Sequence, residues 1–178
     1  MEDIHIRQEA PEDYGAVFDL VKLAFQDLPE SDQEEQFLVQ RLRNSPAFIP
    51  ELSLVAERHS MLLGHILLTQ VQIRDGDRAH KGVLALAPVT VRPDFQRRGI
   101  GGKLILEAHH RARALGYRGI VLLGHVHYYP RFGYQKARDF GISLPFDVPE
   151  AYCMAMPLYP GGLEGVRGVV AYPPEFYG

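Results

Sequence analysis

Gln96-Arg97-Arg98-Gly99-Ile100-Gly101-Gly102-Lys103 is the stretch from which the rest of the chain is read. It stands between an almost wholly apolar run, residues 83–91, and a segment of helical periodicity. A run of that kind fits a strand covered on both faces, and Pro93 ends it. Beyond the glycines, Ile100, Leu104, Ala108, Ala112 and Leu115 predict the buried stripe of a helix, with Lys103, Glu107, Arg111 and Arg113 on its other faces. Gly116 stands where a left-handed C-terminal cap is wanted. Glycines at such a junction let a ligand approach the main chain and tolerate dihedrals that other residues resist. The first turn of a helix has unpaired N–H groups and partial positive charge. Arg97, Arg98 and Lys103 add mobile cations, so the physics points to a phosphate or pyrophosphate site. A tight strand-to-helix turn without any ligand would use the same glycines.

Two common phosphate motifs are excluded by spacing. A P-loop needs glycine and Ser or Thr where Arg97 and Leu104 stand. A dinucleotide fingerprint needs its third glycine at Leu104.

Working outward, Ile4 and Ile6 alternate with polar neighbours and predict a short strand. Pro11, Glu12 and Asp13 form a helix entrance, followed by Tyr14, Val17, Phe18, Val21 and Phe25 at helical spacing. A second amphipathic helix is expected to turn Phe37, Leu38 and Leu42 inward and to end near Pro46. Residues 52–56 and 62–71 flank a polar turn and read as a hairpin, with a further turn at Asp75-Gly76-Asp77. After the helix, residues 119–123 predict a short buried strand, and Tyr128-Tyr129-Pro130-Arg131-Phe132 one helical turn. With no internal repeat or linker, residues 1–178 are expected to form one domain.

A net charge of −3 argues against nucleic acid as the main partner, since phosphate-backbone binding needs a positive excess. Cys153 is the only cysteine, so no internal disulfide is expected. The acidic start Met1-Glu2-Asp3-Ile4 is unlike a signal peptide. No apolar run approaches the roughly 20 residues that span a bilayer. The expectation is a cytoplasmic protein without a membrane segment. Its oligomeric state is left open by the sequence.

Gln96-x-x-Gly99-x-Gly101 resembles the Q/R-x-x-G-x-G/A signature of the GNAT superfamily of acetyl-CoA-dependent N-acetyltransferases. The preceding residues 89–95, and downstream Ala114-Leu115-Gly116-Tyr117 and residues 128–134, resemble that family's other blocks in the same order. The likeness is densest over residues 83–134. It extends to a bacterial subgroup of uncharacterised predicted N-acetyltransferases, through the block Tyr128-Tyr129-Pro130-Arg131-Phe132-Gly133-Tyr134 and the tail Leu158-Tyr159-Pro160-Gly161-Gly162-Leu163. The implied fold is α/β (α+β): a central mixed, largely antiparallel sheet flanked by helices.

The resemblance implies acetyl-CoA as cosubstrate and an amine of a small molecule or peptide as acceptor. It implies that the pyrophosphate lies over main-chain N–H groups of Arg97, Arg98, Gly99, Ile100, Gly101, Gly102 and Lys103. The pantetheine arm would pair with the main chain at Val89 and Val91. Tyr129, four residues before Gly133, matches the family's general acid. A phenol of pKa about 10 is protonated at neutral pH and can protonate a departing thiolate. Packing in an aromatic cluster is the other account of Tyr129, and a one-residue shift would exchange it with Tyr128.

Many members of the family carry a carboxylate base on the central strand, and residues 83–91 contain none. Glu57 and His125 are candidates by type, and a water chain is equally open. Glu57 reads more simply as a solvated turn charge. His125 and His127 could lie on one side of an extended segment, but no further metal ligands stand nearby. His109 and His110 read as surface residues. Cys153 has no activating partner, which favours direct transfer over an acyl-enzyme. Residues 145–178 are expected either to shape the acceptor pocket or simply to pack over the sheet. A non-catalytic acetyl-CoA or CoA sensor is the alternative function.

Overall fold

The computed structural model describes residues 3–178. The chain opens with strand β1 (His5–Gln8), helices α1 (Tyr14–Phe25) and α2 (Glu35–Arg43), and strand β2 (Phe48–Arg58). Strands β3 (Met61–Asp75) and β4 (Arg78–Val91) follow, joined at Gly76, whose φ of 59° suits the turn. Helix α3 (Ile100–Ala114) crosses to strand β5 (Gly119–Leu123). Short strands β6 (Gln135–Lys136) and β7 (Ile142–Ser143), then β8 (Cys153–Pro157) and β9 (Gly168–Ala171), complete the sheet.

The strand order is β1-β2-β3-β4-β5-β8-β6, with β9 pairing both β3 and β7. Successive strands from β1 to β4 are antiparallel. The β4–β5 pair, bridged by α3, is parallel, as a helical crossover requires. This is the mixed, largely antiparallel sheet that the family resemblance implies.

Three apolar clusters hold the layers together. Ile66, Leu84, Leu104, Ile105 and Ile120 join the sheet to α3. On the opposite face, Val17, Val21, Val39, Leu42, Val55 and Leu67 join it to α1 and α2. Val71, Val83, Val121, Leu163 and Val170 bury the C-terminal segment on that sheet's far end.

Two helix faces differ from expectation. In α2 the inward residues are Gln36, Val39 and Leu42, while Phe37 is exposed and meets Phe18 edge-on at 5.4 Å. The helix is rotated by about one position because α1, as well as the sheet, lies against it. Leu115 lies at the end of α3 and is exposed, and its stripe position is lost where the helix stops. His109 departs more sharply. It is buried rather than superficial, and its Nε2 lies 2.8 Å from the Tyr134 hydroxyl.

Candidate functional site

Strand β4 pairs with β5 only at Val83, Leu84 and Ala85. Beyond them the two strands part. On the β3 side the ladder continues, with Thr90 opposite His65 and the Arg92 N–H bonded to the Leu63 carbonyl at 2.9 Å. Because polar groups alternate between strand edges, Val89 and Val91 direct theirs to the edge that β5 has left. A bulge sets this phase: Leu67 alone stands opposite both Ala87 and Pro88. The Val91 carbonyl accepts from the Gln96 side-chain amide at 3.2 Å, which leaves the Val89 groups and the Val91 N–H on the open edge.

The glycine-rich turn lies at one end of this opening. Gly99 has φ of 82° and precedes the first residue of α3, and Arg97 is also left-handed at 62°. Among the described residues no atom beyond its chain neighbours stands within 4 Å of where a Gly99 Cβ would be, so its requirement is conformational. Gly101 differs. A Cβ there would stand 3.0 Å from the Tyr128 hydroxyl, and one on Gly102 would stand 3.4 Å from the Phe132 ring. Gly64 in β3 has the same logic from beneath, since its Cβ would come within 2.9 Å of Leu104. Small residues above and below thus draw the first turn of α3 against the end of β4.

Arg97, Arg98 and Lys103 are exposed around this turn, while the Ile100 side chain is buried, so Ile100 offers only its main chain. The Arg98 and Arg58 guanidinium groups lie 5.1 and 5.5 Å from the Phe95 ring centre. Arg58 Nε is buried without a hydrogen-bond partner among the described residues. Sequence reading missed Arg58 because it sits on β2, far along the chain.

The structure separates the two adjacent tyrosines. Tyr128 turns its hydroxyl toward Gly101. Tyr129 points inward, its ring filling the space that Gly124 leaves by having no Cβ. Their rings meet edge-on at 5.1 Å, and Tyr129 meets Tyr134 at 5.8 Å. Burial pushes the Tyr129 phenol well above its ordinary pKa, with Tyr128 adding to the effect. The phenol therefore stays protonated at neutral pH and is a donor. Gly124 carried no motif and was not singled out from the sequence.

The candidate bases fare differently. Glu57 is bound to Arg7 Nε at 3.1 Å, an ion pair fastening β1 to β2 rather than a free turn charge. His125 is exposed, and its carbonyl accepts from the Tyr128 and Tyr129 N–H groups. Burial raises the Cys153 thiol above its usual pKa, so thiolate is disfavoured there.

On the α1–α2 face the splay opens into a cavity of about 350 Å³. Leu86 and Ala87 of β4 and Leu123 of β5 form its floor, and Phe146, Tyr172 and Phe176 from the C-terminal segment form one wall. That segment packs on the sheet, as expected, and also lines this cavity.

Residues 5–137 match the acetyltransferase (GNAT) domain family. The uncharacterised N-acetyltransferase YjhQ of Escherichia coli is 35% identical over 120 residues, spanning 67% of this chain and 66% of that protein. A GNAT family acetyltransferase from Brucella melitensis, solved in complex with acetyl-CoA, superposes with a TM-score of 0.81 at 36% identity over 99% of both chains. The N-acetyltransferase YhbS of E. coli, solved with CoA, gives 0.88 at 25% identity, covering 99% of this chain and 93% of that one. With its parted β4 and β5 and its glycine-rich turn at the opening, the chain belongs to the GNAT family of acetyltransferases.

Proposed function

We propose that the protein transfers the acetyl group of acetyl-CoA directly to an amine of a small molecule or peptide. The observation that carries this reading is the unpaired edge of β4 at Val89 and Val91, ending on the helix N-terminus with its exposed Arg97, Arg98 and Lys103. The residues fit the cosubstrate in kind. Main-chain N–H groups of Arg97, Arg98, Gly99, Ile100, Gly101, Gly102 and Lys103 suit a pyrophosphate, which the helix N-terminus favours. The free groups of Val89 and Val91 suit the amides of the pantetheine arm, as a strand suits a strand.

On this reading the Val89 N–H, just past the bulge, polarises the thioester carbonyl where negative charge develops. Tyr129 gives its proton to the departing thiolate. Tyr128, by its place over Gly101, holds the cofactor rather than the reacting atoms. The buried Cys153 supports direct transfer without an acyl-enzyme. The unit is the single domain of residues 1–178, working in the cytoplasm, where acetyl-CoA is found.

Calorimetry with acetyl-CoA, followed by an assay for free CoA across a panel of amines, tests this. Binding with amine-dependent CoA release is expected. Binding without release from any amine would favour a CoA sensor, and absence of binding would overturn the reading.

A further inference from the structure

Helix α3 breaks its own apolar stripe at one position. His109 stands between Ile105 and Ala112 on the buried face, is 2% exposed, and meets the equally buried Tyr134. Its Nε2 is 2.8 Å from the Tyr134 hydroxyl, and the two ring centres are 5.5 Å apart. Burial pulls the imidazole down to about 4, with Arg113 contributing, and pushes the Tyr134 phenol well above its ordinary value. At neutral pH the bond therefore joins two uncharged groups. Leucine and phenylalanine would fill the same space without burying an imidazole and a hydroxyl. What the polar pair adds is direction, because the bond fixes where the far end of the Tyr134 ring stands.

Tyr134 lies directly against Tyr129, the two rings meeting edge-on at 5.8 Å. Tyr129 is also bounded by Tyr128 at 5.1 Å and by Gly124, where an added Cβ would stand 2.3 Å from its Cε2. Those two neighbours belong to the same loop and turn as Tyr129 itself, so they move with it. Tyr134 is different, since its hydroxyl ties it to α3 through His109. The first turn of α3 carries Gly101, over which Tyr128 sits, and the same helix carries His109 further along. One rigid element thus sets the place of the glycine-rich turn and, through a single hydrogen bond, the wall behind Tyr129.

We propose that His109 and Tyr134 are positioning residues: their hydrogen bond ties Tyr129 to α3 and holds its phenol in the orientation from which it protonates the departing thiolate. The inference rests on the acetyl-transfer reading above, in which Tyr129 is the acid. His109 and Tyr134 act only through Tyr129 and carry no proton transfer of their own. An acid that drifts from its place loses rate while the cofactor is held as before, because the phosphate grip and the strand edge are untouched.

The test uses whichever amine of the panel gives the fastest CoA release. Tyr134→Phe keeps the ring and removes the hydroxyl. It is expected to lower kcat about tenfold, with KM and calorimetric affinity for acetyl-CoA unchanged. His109→Leu should match it, whereas His109→Gln, which can still bond the hydroxyl, should retain most of the wild-type kcat. In a Tyr129→Phe background, Tyr134→Phe should change kcat by less than about twofold, because no acid remains to be positioned. The double variant His109→Leu/Tyr134→Phe removes both polar partners, so its urea midpoint should be no lower than that of the wild type. It should nonetheless be about tenfold slower, which separates positioning from scaffolding. Wild-type kcat in Tyr134→Phe or in the double variant overturns the proposal. So does an undiminished loss when residue 129 is already Phe, which would mean that the pair serves the core alone. A protein that binds acetyl-CoA but releases no CoA with any amine overturns the acetyl-transfer reading itself, and this inference with it.

Discussion

Tyr128 and Tyr129 are neighbours in sequence with the same side chain, yet they occupy different environments. Tyr129→Phe keeps the ring that fills the space beside Gly124 and removes only the proton donor. Its kcat is expected to fall about 100-fold with acetyl-CoA affinity unchanged, read from steady-state rates and calorimetry. Tyr128→Phe should do the reverse, weakening acetyl-CoA binding with a smaller effect on kcat. If the two variants exchange these effects, the assignment of the acid is reversed. Gly124→Ala is the second residue-scale test. Its Cβ would stand 2.3 Å from Tyr129 Cε2, so the ring must move. A loss of activity comparable to Tyr129→Phe is expected, with stability lowered by about 1–3 kcal/mol in urea titration.

At the scale of elements, the site depends on how closely α3 settles on the sheet. Gly64→Val puts methyl groups where Leu104 and the Thr90 carbonyl already stand, and so should lift the first turn of α3 from β4. The expected outcome is weaker acetyl-CoA binding by calorimetry together with a lower Tm. Unaltered affinity would show that the turn binds nothing that depends on its distance from β4. The elements themselves were largely legible in sequence, because strands and helices impose their own periods on apolar residues. Residues 83–91 and the stripe from Ile100 to Ala112 are cases in point. What periodicity could not resolve was phase against a second neighbour. Phe37 was expected on the inner face of α2, yet Gln36 is buried in its place. Packing against α1 turns the face, since a helix touching two surfaces is not described by one stripe. The buried His109 was equally hidden, because its partner Tyr134 lies 25 residues away.

At the scale of the whole molecule, the histidines make stability depend on pH. Burial pulls the His65 imidazole down to about 4, reinforced by the Arg43 charge and opposed by Glu9. Burial does the same to His109, with Arg113 contributing. His65 Nε2 lies 3.1 Å from the Ser53 hydroxyl, which is itself bonded to Glu9. Both rings are neutral in the fold and gain protons on unfolding below the ordinary value of 6.5. The stabilisation is therefore complete above pH 6.5 and lost as pH falls toward 4. With two additional protons held by the unfolded chain, the slope approaches about 2.7 kcal/mol per pH unit. Urea titrations at pH 7.5, 6 and 5 should show the decline. His109→Gln, which retains a hydrogen-bonding group beside Tyr134, should make it shallower, and an unchanged slope would mean that His109 is charged in the fold.

The sequence by itself determined the order of elements, the glycine-rich junction between a buried strand and a helix, and the family likeness. Each of these is carried by residues close together in the chain, where spacing alone encodes geometry. Only the tertiary structure decided that β4 and β5 part after three paired residues, that Tyr129 lies inward and Tyr128 over Gly101, and that Leu38, Leu86, Leu123 and Phe146 line one cavity. Those features join segments from α2, β4, β5 and the C-terminal residues. Their contacts follow from packing the layers on one another, and no local period in the chain records them.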